Sequence, residues 1–284
     1  METLNLRRLE VRDVIHLLEL SKSAGWPTTA GTWRTMLSIP EGVFYGHALA
    51  GGGIVSSAAV FNYGGLASLA MVLVRPSHRW KGLAQQAIAQ CLAQLPPRTP
   101  VMLVSTPLGL PLYTKLGFKQ VEATHRLIAA ADALKPHKAG NGGAVRPFAK
   151  ADFPGVLRAD AEALGVERKG VLAAYVNQSD PCCVLPAGDT IAAFAAAKDL
   201  NGVRVIGPVI APEAGTAMCL IERLLPHNGT LTQVEVPGGR ADLLSLLEAR
   251  GFTLENLSPI LLLNGKTLPG RREHLFAIAS RAYG

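Results

Sequence analysis

Between Val72 and Ala84 the chain reads Val-Leu-Val-Arg-Pro-Ser-His-Arg-Trp-Lys-Gly-Leu-Ala. These residue types at this spacing can hold an anion. The apolar run Val72-Leu73-Val74 reads as a strand that ends at Pro76, a short loop follows, and a helix opens near Gly82. A helix N-terminus presents main-chain N–H groups without intrahelical partners and a partial positive charge, which suits a diphosphate. Gly82 lets the backbone approach phosphate oxygens with no Cβ in the way, and Ala84 keeps the first turn small. Arg79 and Lys81 add positive charge beside it.

The elements that must position this segment follow from periodicity and punctuation. A strand is expected over Asn5–Leu9 and a helix over Asp13–Ser23, with Val14, Leu17, Leu18 and, at its margin, Ile15 on one face. Gly25-Trp26-Pro27-Thr28-Thr29 breaks that helix, and Thr32 is expected to cap a short second one running through Leu37. Val43–Leu49 and Ile54–Phe61 flank Gly51-Gly52-Gly53 and read as a β-hairpin. Leu69–Val74 reads as a buried strand, Gly82–Leu95 as a helix and Val101–Ser105 as a further strand. A last short helix ends at Leu116-Gly117, where the glycine supplies a left-handed cap. This order predicts an α+β layer fold, with antiparallel strands first and a parallel crossover later.

Composition narrows the partners. The chain has 284 residues, 49% of them apolar and only 17% charged, with mean hydropathy +0.24. That is ample core material and excludes a disordered chain. No apolar run approaches the roughly 18 residues of a membrane helix, so no membrane is expected. Met1–Arg8 lacks the apolar core of a signal peptide, so a cytoplasmic location is expected. Cys91, Cys182, Cys183 and Cys219 form no metal-ligand spacing, and neither a metal site nor a disulfide framework is expected. The net charge of +7 is lopsided: residues 1–140 hold 14 Lys and Arg against 7 Asp and Glu, whereas residues 141–284 hold 14 of each. The first half therefore handles something anionic. Its basic residues are scattered singly, which favours a small polyphosphate over nucleic acid.

Residues 132–143 collect Pro, Gly and Asn and read as a linker between domains 1–131 and 144–284. The flanking segments resemble each other. Arg7 and Asp13 match Arg146 and Asp152, six apart in both. Val72-Leu73-Val74-Arg75-Pro76 matches Pro208-Val209-Ile210-Ala211-Pro212. Leu112–Phe118 matches Leu246–Phe252. The offsets of 139, 136 and 134 keep the order, as a duplication would.

Arg79-x-x-Gly82-x-Ala84 after a Val-x-Pro strand end resembles the acyl-CoA pyrophosphate loop of the GCN5-related N-acetyltransferase (GNAT) superfamily. Ser105–Phe118, ending in Leu-Tyr-x-x-Leu-Gly-Phe, resembles that family's fifth strand and following helix. The resemblance implies two tandem GNAT-like domains, each a mixed, mostly antiparallel sheet flanked by helices. It implies an N-acetyltransferase that moves acetyl from acetyl-CoA, as cosubstrate, to the primary amine of a small molecule. By position, Val72, Leu73 and Val74 would pair with the pantetheine arm, and Arg79, Trp80, Lys81, Gly82, Leu83 and Ala84 would cradle the pyrophosphate. Thr106 stands where the family often has an Asn on that arm. Tyr113 would be the general acid for the thiolate, since a phenol of pKa about 10 stays protonated at neutral pH. Leu66–Met71 holds no carboxylate to serve as base. Glu41 and His47 are the nearest titratable groups, and both read better as surface residues. Trp26 is a candidate wall for the acceptor, and Trp33 reads equally as core. Trp80 either packs on the adenine or covers the helix end.

The second half reads as a degenerate copy. Pro76 to Pro96 spans 20 residues and Pro212 to Pro226 spans 14, so a loop's length is missing. Glu213 stands where phosphate would lie, and Leu247 replaces the tyrosine. The missing base leaves a non-catalytic acyl-CoA binding or sensing module as the alternative function.

Overall fold

The structure, a computed structural model, describes residues 3–26, 28–135, 145–226 and 229–284. The chain divides into two compact units, Met1–Leu103 and Val104–Gly284. Residues 136–143 of the expected linker, and Pro27 of the expected helix break, lie outside the described residues.

The first unit runs β1 (Leu4–Arg8), α1 (Val14–Ser23), α2 (Ala30–Ser38), β2 (Gly42–Leu49), β3 (Ser56–Asn62), β4 (Ala67–Val74), α3 (Leu83–Leu92) and the start of β5 (Val101–Val104). Strand order is β1-β2-β3-β4-β5. The first three pairings are antiparallel, and β4 pairs with β5 in parallel. The parallel pair is joined by the α3 crossover, as the sequence implied. Helix α3 packs on β2, β3 and β4. Helix α2 begins one residue after Thr29, whose Oγ1 accepts the Thr32 N–H at 3.0 Å, so Thr29 and not Thr32 is the cap. An N-cap side chain must lie before the first turn to reach an N–H within it. Trp33 is fully buried, its indole N–H donating to Ser21 Oγ at 2.9 Å and its ring edge-on to Phe44. It belongs to the core.

The second unit continues with α4 (Leu110–Lys115), β6 (Lys119–Ala129), β7 (Arg146–Pro147), α5 (Phe153–Leu164), α6 (Lys169–Val176), β8 (Cys182–Ala187), β9 (Thr190–Leu200), β10 (Val203–Ile210), α7 (Ala214–Leu224), β11 (Leu231–Pro237), α8 (Ala241–Arg250), β12 (Thr253–Leu263) and β13 (Leu275–Ala277). Its order is β12-β6-β11-β10-β9-β8-β7, with β13 added to β10. Strands β10 and β11 run parallel, again across a helix, and the other pairings described within this unit are antiparallel. The motifs group β6 with residues 1–131, whereas its hydrogen bonds go to β11 on one edge and β12 on the other. The division by contacts therefore falls earlier than the division by motifs. Helix α7 packs on β8, β9 and β10, and its buried face joins Val234, Val236, Leu243 and Phe276 in one apolar cluster.

Each anchor of the internal repeat is a physical device used twice. Arg7 grips Asp13 through two bonds of 2.9 and 2.7 Å, and Arg146 grips Asp152 through two of 2.7 Å. In each clip the carboxylate also accepts a main-chain N–H, from Glu10 and from Ala149. Gly117 and Gly251 both take positive φ to end α4 and α8, and the following phenylalanine N–H closes back on Tyr113 O or Leu247 O. Because these bonds favour the ionised carboxyl, Asp13 and Asp152 are held below the usual carboxylate range. The folded chain then binds fewer protons than the unfolded one, so the clips stabilise fully above about pH 4 and lose that contribution as pH falls further. Asp13→Asn is expected to cost about 2 kcal/mol at pH 7 in urea unfolding. It is also expected to flatten the acid limb of stability below about pH 4. An unchanged acid limb would show that the clip contributes nothing.

Candidate active site

The strand that the motif singles out is deformed where it matters. In β4, Met71 takes φ of 51°, the register with β3 shifts between Ser57 and Ala59, and Ser57 Oγ donates to Met71 O at 2.7 Å. Such a bulge bends a strand away from its neighbour. The parallel pairing with β5 accordingly covers only Ala67–Val101 and Ser68–Met102. Beyond it, Val72, Leu73 and Val74 keep β3 on one side and, among the described residues, have no strand on the other. Val72 and Val74 are half-buried. Main-chain donors and acceptors on that open side are available to an extended polar arm.

The turn after β4 is tied down at its start. Arg75 N–H donates to Val55 O at 2.8 Å, and a single turn of 3-10 helix follows over Pro76–His78. Arg79 Nε donates to Val74 O at 3.3 Å. Trp80 takes φ of 66° and is 91% exposed, so it does not cover the helix end. Lys81 is exposed beside it. Gly82 takes φ of 77° as the residue before α3, and a Cβ built there meets only the Gln86 side chain, at 3.8 Å. The space is open, but the left-handed backbone resists any side chain. The first helical bond runs from Gln86 N–H to Gly82 O, which leaves the N–H groups of Leu83, Ala84 and Gln85 outside the helix ladder. Three such donors, an open glycine and two nearby cations fit a diphosphate.

His47 is 3% exposed on β2 and bonded at both ring nitrogens: Nδ1 to Ser56 Oγ at 2.7 Å and Nε2 to Gln86 Oε1 at 2.9 Å. The surface position expected for it is therefore wrong. Helix α3 covers the face of β2 on which His47 stands, which strand alternation alone does not reveal. Glu41 is half-buried just before β2, and Trp26 is half-buried beyond the end of α1.

In the second unit, Tyr113 lies on α4 and is 8% exposed, its ring edge-on to Phe118 at 5.9 Å. Burial pushes its phenol above the usual value, so it holds its proton throughout the neutral range. A Cβ on Gly109 would stand 2.7 Å from Tyr113 Cε2, so glycine at 109 makes room for the ring. Thr106 is exposed, and its Oγ1 accepts the Gly109 N–H at 3.3 Å in the turn that opens α4.

The second half repeats the bulge and then closes it. Strand β10 shifts register between Ile206 and Val209, at the positions that match Ala70 and Leu73. Val209 and Ile210 pair with Ala277 and Leu275 of β13, Ala211 N–H donates to His274 O, and Ile278 N–H donates to Glu235 O on β11. A strand of the same chain thus fills the opening that β4 leaves free. Only Ala211, Pro212 and Glu213 separate β10 from α7, against the eight residues between β4 and α3, and Leu247 at the tyrosine position is fully buried. The short Leu275–Ala277 run carried no signal, because three residues are too few for any periodicity.

Comparison with known proteins agrees with this duplicated architecture. A profile described as Acetyltransferase (GNAT) family matches residues 11–118, and one described as Acetyltransferase (GNAT) domain matches residues 156–277. The chain belongs to the GNAT family of N-acetyltransferases, with two such domains in tandem, and acyl transfer is the activity that this membership supports. It is similar to an uncharacterized N-acetyltransferase, YitH, of Bacillus subtilis (strain 168), 28% identical over 280 residues and 98% of each chain. A putative acetyltransferase from Pyrococcus horikoshii shares the fold with a TM-score of 0.83 at 17% identity, covering 100% of this chain and 97% of that one. A tandem GNAT protein from the clavulanic acid biosynthesis pathway shares it with a TM-score of 0.66 at 14% identity, covering 93% and 99%. Among the described residues no helix is long and apolar enough to cross a membrane.

Gly109→Ala is expected to displace the Tyr113 ring and to cost about 1–3 kcal/mol through overpacking. Urea unfolding of the variant checks this, with Gly109→Ala in a Tyr113→Ala background as the control. If the two changes add, the clash is not with that ring.

Proposed function

We propose that residues 1–131 bind acetyl-CoA and that the chain transfers its acetyl group to the primary amine of a small molecule. The observation that carries this reading is the contrast between two copies of one bulged strand. The copy in β4 is open and followed by Arg79, Lys81 and Gly82. The copy in β10 is paired with β13 and followed after three residues by a helix. When bound, acetyl-CoA supplies an acetyl group activated as a thioester. In this reading the main chain of Val72, Leu73 and Val74 holds the pantetheine arm and donates to the carbonyl oxygen where charge develops. The N–H groups of Leu83 and Ala84, with Arg79, Lys81 and the bare Gly82, hold the diphosphate. Trp80 offers its exposed indole to the adenine, and Thr106 borders the arm. The Tyr113 phenol, protonated because it is buried, serves as proton donor to the departing sulfur. Trp26 walls the acceptor.

No side chain is assigned as base. Both nitrogens of His47 are already engaged, so the amine loses its proton to water. The basic excess of the first half supports an anionic cosubstrate there, and residues 144–284 take no cofactor in this reading. A cytoplasmic enzyme with ready access to acetyl-CoA completes the proposal.

Calorimetry is expected to find one acetyl-CoA per chain, none after Gly82→Glu, and one after Glu213→Lys. With an amine library monitored by thiol release, Tyr113→Phe is expected to slow turnover about 100-fold with little change in acetyl-CoA affinity. Full turnover in that variant would remove Tyr113 from the chemistry. Cofactor binding with no thiol release for any amine would instead define a sensing module. No binding at all would overturn both readings.

A further inference from the structure

Gln86 sits one turn into α3, exposed at the surface, with its side chain folded back toward Gly82. Nothing in the loop motif calls for an amide at this position. Its conformation is set from behind. Ser56 Oγ accepts the His47 main-chain N–H at 3.1 Å and lies 2.7 Å from His47 Nδ1. Because Gln86 Oε1 can only accept, the ring nitrogen that faces it, His47 Nε2, carries a proton. That proton goes to Gln86 Oε1, 2.9 Å away. The acceptor end of the amide is thereby consumed, and the NH2 end is left facing Gly82, its nitrogen 3.8 Å from the point a Cβ on Gly82 would occupy. A buried serine and a buried histidine thus fix a surface amide with its donors beside the mouth of the helix.

We propose that Gln86 is a binding residue for the anionic diphosphate of the cosubstrate, and that His47 is a positioning residue acting through it. The inference rests on the coenzyme A reading above and adds to it a donor that the motif does not contain. A free glutamine side chain loses rotamer freedom when it binds; one already held at its oxygen end does not lose it again.

Two variants separate this role from a purely structural one. Gln86→Glu keeps an oxygen for His47 Nε2–H but removes the NH2 donors and adds a negative charge. Gln86→Ala removes both ends. Calorimetry with coenzyme A, and with pantetheine, which lacks the diphosphate, gives the readout. Coenzyme A affinity is expected to fall about 10-fold in Gln86→Ala and further in Gln86→Glu, while pantetheine affinity stays unchanged in both. His47→Ala is expected to weaken coenzyme A binding in the wild-type background and to add nothing in the Gln86→Ala background. Should His47→Ala fail to fold, the two Gln86 variants decide the matter alone. Wild-type affinity for coenzyme A in both Gln86 variants would overturn the inference and leave the coenzyme A reading standing. A wild-type chain that binds no coenzyme A would overturn that reading itself.

Discussion

Main-chain hydrogen bonding at a bent strand governs much of what this chain is built to do. A bulge carries a strand away from its parallel neighbour, and the peptide groups past the bulge must find other partners. The same bulge is present twice, in β4 and in β10. In β10 the chain answers from within, laying Leu275–Ala277 against Val209 and Ile210. In β4 no strand among the described residues takes that place, and a left-handed glycine, three unladdered N–H groups and two cations follow. One half meets its hydrogen-bond demand from within the chain, and in the proposed reading the other half meets it with the cosubstrate. That difference is a stronger argument about function than the loop motif alone, because both halves contain the same strand.

Much of this was legible in the sequence, for identifiable reasons. The Arg7–Asp13 and Arg146–Asp152 clips need a fixed spacing of six, and that spacing stands in the chain twice. The hairpin, the parallel crossovers and the short helix before Gly117 follow from punctuation by Gly and Pro and from runs of alternating or continuous apolar residues. Gly82 and the cations around it are recognisable because few other residue types can sit where a helix start must meet an anion. The absence of that loop after Pro212 was likewise a matter of counting.

What sequence could not supply is nearly all long-range pairing. Strand β6 has the composition of an ordinary amphipathic strand, and nothing within Lys119–Ala129 says that it lies between β11 and β12 rather than beside β5. His47 alternates correctly for a half-exposed strand position and is buried only because α3 crosses β2. The helix cap moved from Thr32 to Thr29 for a local reason, since two threonines three apart compete for one role and only the earlier one precedes the turn. Each gap is a case of tertiary context deciding among options that local rules leave equal.

The loss of the loop and the presence of β13 in the second half are coupled physically. A diphosphate cradle is useful only if the strand beside it can hold the rest of the ligand, and a filled strand edge removes that use. Once Leu275–Ala277 pairs with β10, an anion held at residues 213–216 would have no attached arm to place. Cations there would then repel one another without compensation. Glu213 in that position, and equal numbers of acidic and basic residues over 141–284, are what relaxed electrostatic demand permits. The first half carries the positive excess and the open strand edge together, and in the proposed reading the charge asymmetry of the chain is the electrostatic counterpart of an asymmetry in hydrogen bonding.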